Sequence, residues 1–148
     1  MIRQVPFQPE HLAALHLQPQ QSEAELLLGS LDFGSILDQA GVAFTGLNEF
    51  GQAVVCAGAV PIWPGRAMGC AALNLIPPRD WPQLHKLVLR GIDGLQRDPA
   101  YKRLEVSVFV EFKAAHRWAR LLGFEVEAPL ARCYDPSGRD YVLYVRIR

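Results

Sequence analysis

Cysteine is scarce in this chain, and its spacing supports no metal or disulfide framework. Cys56, Cys70 and Cys133 are odd in number and lie far apart. No Cys-x-x-Cys pair and no Cys/His ligand spacing occurs. The three read as reduced, buried thiols, which pack like small hydrophobes and fit a cytosolic protein. Net charge is also missing, since 15 Lys and Arg balance 15 Asp and Glu. A whole-molecule field that would gather nucleic acid or an anionic membrane is therefore not expected. No apolar run is long enough to cross a bilayer; the longest, Ala53 to Trp63, is short and holds Pro61. The opening residues MIRQVPFQPEH lack the apolar segment of a signal peptide. His11 and His16 are five apart, the wrong spacing for one helical face, so no metal site is expected. No repeat, low-complexity tract or linker divides the 148 residues, which predicts one domain over 1–148.

What the chain does have is a change of period between Arg103 and Glu125. Leu104, Val106, Val108 and Val110 alternate with Glu105, Ser107, Phe109 and Glu111, the pattern of a strand. From Phe112 the period becomes helical. Ala115, Trp118, Ala119 and Leu122 share one face, while Lys113, Arg117 and Arg120 are charged. Gly123 is a natural stop, because glycine reaches the left-handed conformation without steric cost.

Other elements follow from local signals. Met1 to Phe7 reads as a strand, and Pro9-Glu10-His11 opens a short helix with Leu12 and Leu15 inward. Ser22-Glu23-Ala24-Glu25 matches a capping box, so a second helix should start there, carrying Leu26, Leu27 and Leu28. Gly29 or Gly34 would bend it, and Phe33, Ile36 and Leu37 continue an apolar face. Val42-Ala43-Phe44 and Ala53 to Ile62 form a hairpin across the turn Asn48-Glu49-Phe50-Gly51. Pro64-Gly65 turns into a buried strand, Ala67 to Ile76, which Pro77-Pro78 stops. Asp80 should cap a helix with Leu84, Leu87, Val88, Ile92 and Leu95 inward. Val126 to Tyr134 and Tyr141 to Ile147 form a last hairpin around Asp135-Pro136-Ser137-Gly138, the residue types of a type I turn. Strand 67–76, helix 80–97 and strand 103–110 have the lengths of a crossover between parallel neighbours. The expected fold class is α/β, a mixed twisted sheet with helices on both faces.

This element order, with AAHRWARLLGFE, resembles the GCN5-related N-acetyltransferase (GNAT) superfamily. The penultimate helix of that family often reads Asn-x-x-Ala-x-x-x-Tyr-x-x-x-Gly-Phe. Ala115, Gly123 and Phe124 fall on its Ala and Gly-Phe positions. The resemblance implies a GNAT-type fold and direct transfer of an acyl group from acetyl-CoA to an amine. The cofactor would lie between the strand ending near Ile76 and the strand ending near Val110. Its pantetheine arm would pair with the backbone of Leu73, Asn74, Leu75 and Ile76, where an N–H would polarise the thioester carbonyl. Its pyrophosphate would meet the helix start near Asp80.

Three positions depart from the family. The phosphate loop, usually Arg/Gln-x-x-Gly-x-Gly/Ala, is here Pro77-Pro78-Arg79-Asp80-Trp81-Pro82-Gln83, without glycine. Phe112 stands at the helix-start Asn, and Ala119 at the Tyr that commonly protonates the leaving thiolate. Small GNAT-like proteins of tailed bacteriophages, some carried in the virion, also lack the glycine loop, and this chain is similar to them in length and element order. An enzyme of the cytoplasm and a catalytically silent phage virion or interaction protein are therefore both open readings, and the macromolecular partner would be a second copy in a homodimer or a phage assembly. The acceptor would be an amine on a small molecule or a protein.

The candidate site residues have competing structural roles. His116 can act as an acid or base near neutral pH, or be an exposed helix histidine. His85 can face the phosphates or the solvent. Arg79, Arg117 and Arg120 suit phosphate geometry, but solvated helix faces also explain them. Glu111 or Glu105 can serve as a base, against a strand-end ion pair. Trp81 can stack on adenine or plug the cleft. Tyr134, Tyr141 and Tyr144 can line an acceptor site or supply the missing acid, or else pack the sheet.

Overall fold

A computed structural model describes residues 1–17 and 33–148. The strands are β1 (Arg3–Pro6), β2 (Phe44–Leu47), β3 (Ala53–Trp63), β4 (Arg66–Leu73), β5 (Arg103–Phe109), β6 (Glu125–Ala131) and β7 (Tyr141–Ile147). The helices are α1 (Pro9–Ala13), α2 (Phe33–Ala40), α3 (Trp81–Leu95) and α4 (Lys113–Leu121). The strands form one sheet in the order β1-β2-β3-β4-β5-β7-β6. Its neighbours pair antiparallel except β4 and β5, which are parallel and joined through α3.

Strand alternation divides the apolar residues between two cores. Val55, Ala57 and Ala59 of β3, Leu104 and Val108 of β5, and Tyr144 of β7 pack with Leu84 and Val88 of α3, Ala119 of α4, and Leu122 just after it. Leu87, Ile92 and Leu95 complete the predicted α3 stripe as partly buried residues on the same core. The opposite core holds Phe7, Leu15, Leu37 and Cys56, with Leu12 and Ala72 against it. The sheet is thus covered on both faces, as the sequence predicts.

The close of α4 shows why its sequence signal is reliable. Gly123 takes φ 89°, its N–H donates to the Arg120 carbonyl, and the Phe124 N–H donates to the Ala119 carbonyl. Those two bonds satisfy the last helical carbonyls in a Schellman close, and the chain turns straight into β6 with Phe124 buried.

Several boundaries differ from expectation. The strand expected from Val42 begins at Phe44, where pairing with Pro6 and Ala57 starts. β4 ends at Leu73 rather than Ile76. Beyond it Asn74 fastens the chain differently, through its N–H to the Val54 carbonyl, its Nδ2 to the Ala53 carbonyl, and its Oδ1 from the His16 N–H. Asp80 is not a side-chain cap: it sits at φ −92°, ψ −15° and ends a single 3-10 turn, Pro78–Asp80. β6 stops at Ala131, before Tyr134, because Cys133 adopts φ 51° and its N–H turns to Asp140 Oδ1. Ile36 is exposed, unlike its neighbour Leu37. The capping box at 22–25, the leucines at 26–28 and Gly29 lie outside the described residues.

The cysteines also divide. Cys56 is buried and Cys70 half-buried, but Cys133 is exposed. Burial pushes the Cys56 thiol up to about 11, against a smaller opposing effect of the Thr45 hydroxyl. Burial likewise pushes Cys70 up to about 12, against the Gly58 carbonyl contact. Only the thiolate alkylates, so brief iodoacetamide treatment of the native protein at neutral pH should label Cys133 alone, as read by peptide mass spectrometry. Labelling of Cys56 at a matching rate would contradict this burial.

Candidate functional site

The feature that sets one end of the sheet apart is the join between β4 and β5. Only three register pairs hold it: Arg66 with Arg103, Ala67 with Leu104, and Met68 with Glu105. Beyond them β4 continues to Leu73 on β3, while β5 continues to Phe109 on β7. The two strands therefore part at their C-terminal ends and leave a wedge. Gly69 lies at the apex, where a Cβ would stand 3.1 Å from Val106 Cγ1. Its missing side chain lets the strands stay close just before they diverge.

Below the apex the join is held by charge. Glu105 accepts from Arg66 Nε at 2.6 Å and from Arg103 at 3.0 Å, and Arg103 also binds Glu127. Burial acts to raise the Glu105 carboxyl, but the two guanidinium groups outweigh it and hold it below its usual value. Glu105 is therefore the strand ion pair of the two sequence alternatives.

The residues expected along the cofactor scatter in character. The Leu73 and Ile76 side chains are buried, Leu75 is 76% exposed, and Asn74 is tied down as described above. Trp81 packs edge-on against Trp118, with centroids 5.5 Å apart and planes at 78°. It lies against the core, which fits the plug better than a free stacking platform. His85 is half-buried and receives the Trp118 indole N–H on Nδ1 at 3.3 Å, so it braces α3 to α4. Arg117 lies exposed on α4, and Arg79 lies exposed before α3, 3.9 Å from Asp80.

The turn before α3 is poor in anion-binding donors. Pro77, Pro78 and Pro82 have no N–H. The Asp80 and Trp81 N–H groups donate to the carbonyls of Pro77 and Pro78. With its donors missing or engaged, this turn does not suit a pyrophosphate.

Two of the three predicted catalytic residues meet. His116 Nδ1 lies 2.7 Å from the Tyr144 hydroxyl, and its Nε2 lies 3.0 Å from the carbonyls of both Phe109 and Val110. Carbonyl oxygens only accept, so Nε2 carries a hydrogen, and in the neutral ring Nδ1 accepts the Tyr144 O–H. His116 is thus a half-buried, tautomer-fixed histidine rather than a free one. It sits two residues from Trp118, nearly opposite around the helix at 3.6 residues per turn. Trp118 faces α3, whereas His116 faces β7. Glu111 stands apart, exposed in the turn after β5. Nothing in one-dimensional spacing reveals the His116–Tyr144 pair, because it joins α4 to the last strand.

The other two tyrosines belong to the β6–β7 turn. Asp135 accepts from the Arg139 N–H and Ser137 hydroxyl on Oδ1, and from Arg139 Nε and the Tyr141 hydroxyl on Oδ2. Tyr134 packs on Tyr141 at 5.0 Å, and the Arg139 guanidinium lies 4.2 Å over the Phe109 ring. Burial acts to raise the Asp135 carboxyl, but the Arg139 amide and guanidinium, Ser137 and Tyr141 outweigh it and hold it far below the usual range. A carboxyl lowered on folding stabilises above its unfolded value and loses that contribution as pH falls. Native stability should therefore drop on acidification below about pH 4, and Asp135→Asn should flatten that part of the profile. Urea midpoints measured from pH 6 downward check this.

A seven-stranded mixed α/β sheet, parted at its parallel join and crossed there by a helix, defines the class. Within that class, the chain has the fold of the GNAT acetyltransferases. It is similar to a structure from Staphylococcus epidermidis, named a probable acetyltransferase, with a TM-score of 0.75 at 13% identity, covering 99% of each chain. It is similar to the ribosomal-protein-S5-alanine acetyltransferase of Vibrio fischeri with a TM-score of 0.70 at 14% identity, over 99% of this chain and 92% of that one. The yncA protein of Salmonella typhimurium, solved with its cofactor acetyl-CoA, gives a TM-score of 0.71 at 12% identity, over 99% of this chain and 93% of that one. No protein-family model and no curated protein sequence matches the chain.

Proposed function

We propose that the chain is a divergent acyl-CoA-dependent N-acyltransferase that takes the thioester in the wedge between β4 and β5. The observation that carries this reading is the early end of the parallel ladder, at Met68 and Glu105, while both strands run on. Acyl-CoA would supply a thioester whose carbonyl carbon accepts the amine lone pair, forming C–N, breaking C–S and releasing the thiolate. The backbone beyond Gly69 would hold the acyl carbonyl, and Glu111, exposed after β5, would take the amine proton through water. Tyr144 already donates to His116 on the β7 side of α4, so it is not the evident proton source for the thiolate. Ala119 cannot be one. In this reading the thiolate takes its proton from solvent.

A second reading is favoured by one specific observation, the donor-poor turn at Pro77–Pro82: a GNAT-shaped protein that transfers nothing and acts by docking, as in a virion. Calorimetric titration with acetyl-CoA and CoA, followed by thioester loss with a panel of amines, separates the two. Saturable binding with amine-dependent turnover supports the enzyme. Absence of binding at millimolar ligand removes it.

A further inference from the structure

A shallow, open pocket lies between α4 and the β6–β7 hairpin. It has a volume of about 410 Å³ and is lined by Lys113, His116 and Arg120 of α4, Val126 and Pro129 of β6, and Val142 and Tyr144 of β7. That volume is enough for a small organic molecule, one face of which would stay open to solvent. Its charge is one-sided. Two of the seven lining residues are cations and none is acidic, in a chain whose net charge is zero. No ion pair among the described residues takes up either Lys113 or Arg120.

The separation of acid from base here follows from strand alternation. Val126 pairs with Tyr144, so both side chains point to the α4 face. Glu127, one residue on, points the other way and is occupied by Arg103. The walls are then Val126, Pro129 and Val142, all apolar. At the floor the Tyr144 O–H is already donated to His116, and the His116 Nε2–H to two backbone carbonyls. With the imidazole neutral, the floor offers no donor hydrogen to an anion. A ligand's negative group would thus be drawn to the cationic mouth and its apolar body to the three walls.

We propose that this cavity binds a small organic carboxylate with a compact apolar body, its carboxylate held by Lys113 and Arg120. The site stands on side chains that the acyl-transfer reading does not use, and it survives or fails independently of CoA binding.

Benzoate and its neutral isostere benzamide are the probes, titrated into the full-length protein and followed by heteronuclear NMR. Saturable benzoate binding in the low millimolar range or tighter is expected, with shifts on the Val126 and Val142 methyl groups. Benzamide should bind at least about tenfold more weakly. Lys113→Gln with Arg120→Gln should weaken benzoate by about tenfold or more while leaving benzamide unchanged. Both are exposed positions, so the double variant should keep its fold, and its unperturbed spectrum checks that. No benzoate binding, equal binding of the two probes, or benzoate affinity indifferent to the double variant would each overturn the assignment.

Discussion

Gln96→Ala should destabilise the protein by about 3 kcal/mol, which lowers the melting midpoint of a chain this size by roughly 10 °C. Gln96 is 4% exposed and sits at the C-terminal end of α3. Its Nε2 donates to the carbonyls of Tyr101, Lys102 and Arg146 at 3.2, 3.2 and 3.0 Å, and its Oε1 accepts from Arg146 at 3.1 Å. One amide thus staples the crossover helix to the start of β5 and the end of β7. Truncation removes a donor from three carbonyls at once at a buried position, although the Lys102 carbonyl keeps the Arg148 N–H. Arg146 keeps Asp93 at 2.6 Å, so the guanidinium itself stays paired. Gln96→Glu separates polarity from packing. It keeps the shape and the acceptor for Arg146, yet sets a carboxylate against three carbonyl oxygens, and should cost at least as much as alanine. A loss under about 1 kcal/mol for either variant, by chemical denaturation, would show that the staple is not what holds the crossover.

That staple also marks where the sequence stops being informative. Leu104 to Glu125 was readable because the side-chain period changes from two to 3.6 within a few residues, and Gly123 closes the change. The wedge was readable one step removed, from a crossover of the right length between two apolar strands. Gln96, by contrast, is a lone amide in a helical run, and nothing in its neighbours announces three carbonyls from elsewhere. Contacts that join distant segments were hidden in the same way. His116 reads as an ordinary helix histidine until β7 brings Tyr144 beneath it. Asp80 shows the opposite failure: its residue type suits a cap, but Pro78 and Pro82 on either side favour a 3-10 turn that takes the backbone donors instead. At the last hairpin the residue types of the turn were legible, and the turn closes with the Gly138 N–H to the Asp135 carbonyl; the Tyr141 hydroxyl on the Asp135 carboxylate was not.

Replacing both Pro77 and Pro78 with glycine should tighten CoA binding by about tenfold or more. A nucleotide pyrophosphate is held at a helix start by backbone N–H groups, and hydrogen bonds to a charged partner are worth about 1.5–3 kcal/mol each. Pro77 and Pro78 supply none, and the 3-10 turn they set also engages the N–H groups of Asp80 and Trp81. Two glycines would restore two donors and free the turn to open toward a phosphate. The substitution also loosens the unfolded chain, so stability should fall by about 1 kcal/mol per site, and the titration belongs well below the melting range. Pantetheine, which has no phosphate, provides the control. Its affinity should not change, because the wedge at Met68 and Glu105 is untouched. If CoA and pantetheine tighten together, the glycines have altered the wedge rather than the cradle. If neither moves, missing amides are not what limits affinity, and the docking reading gains accordingly.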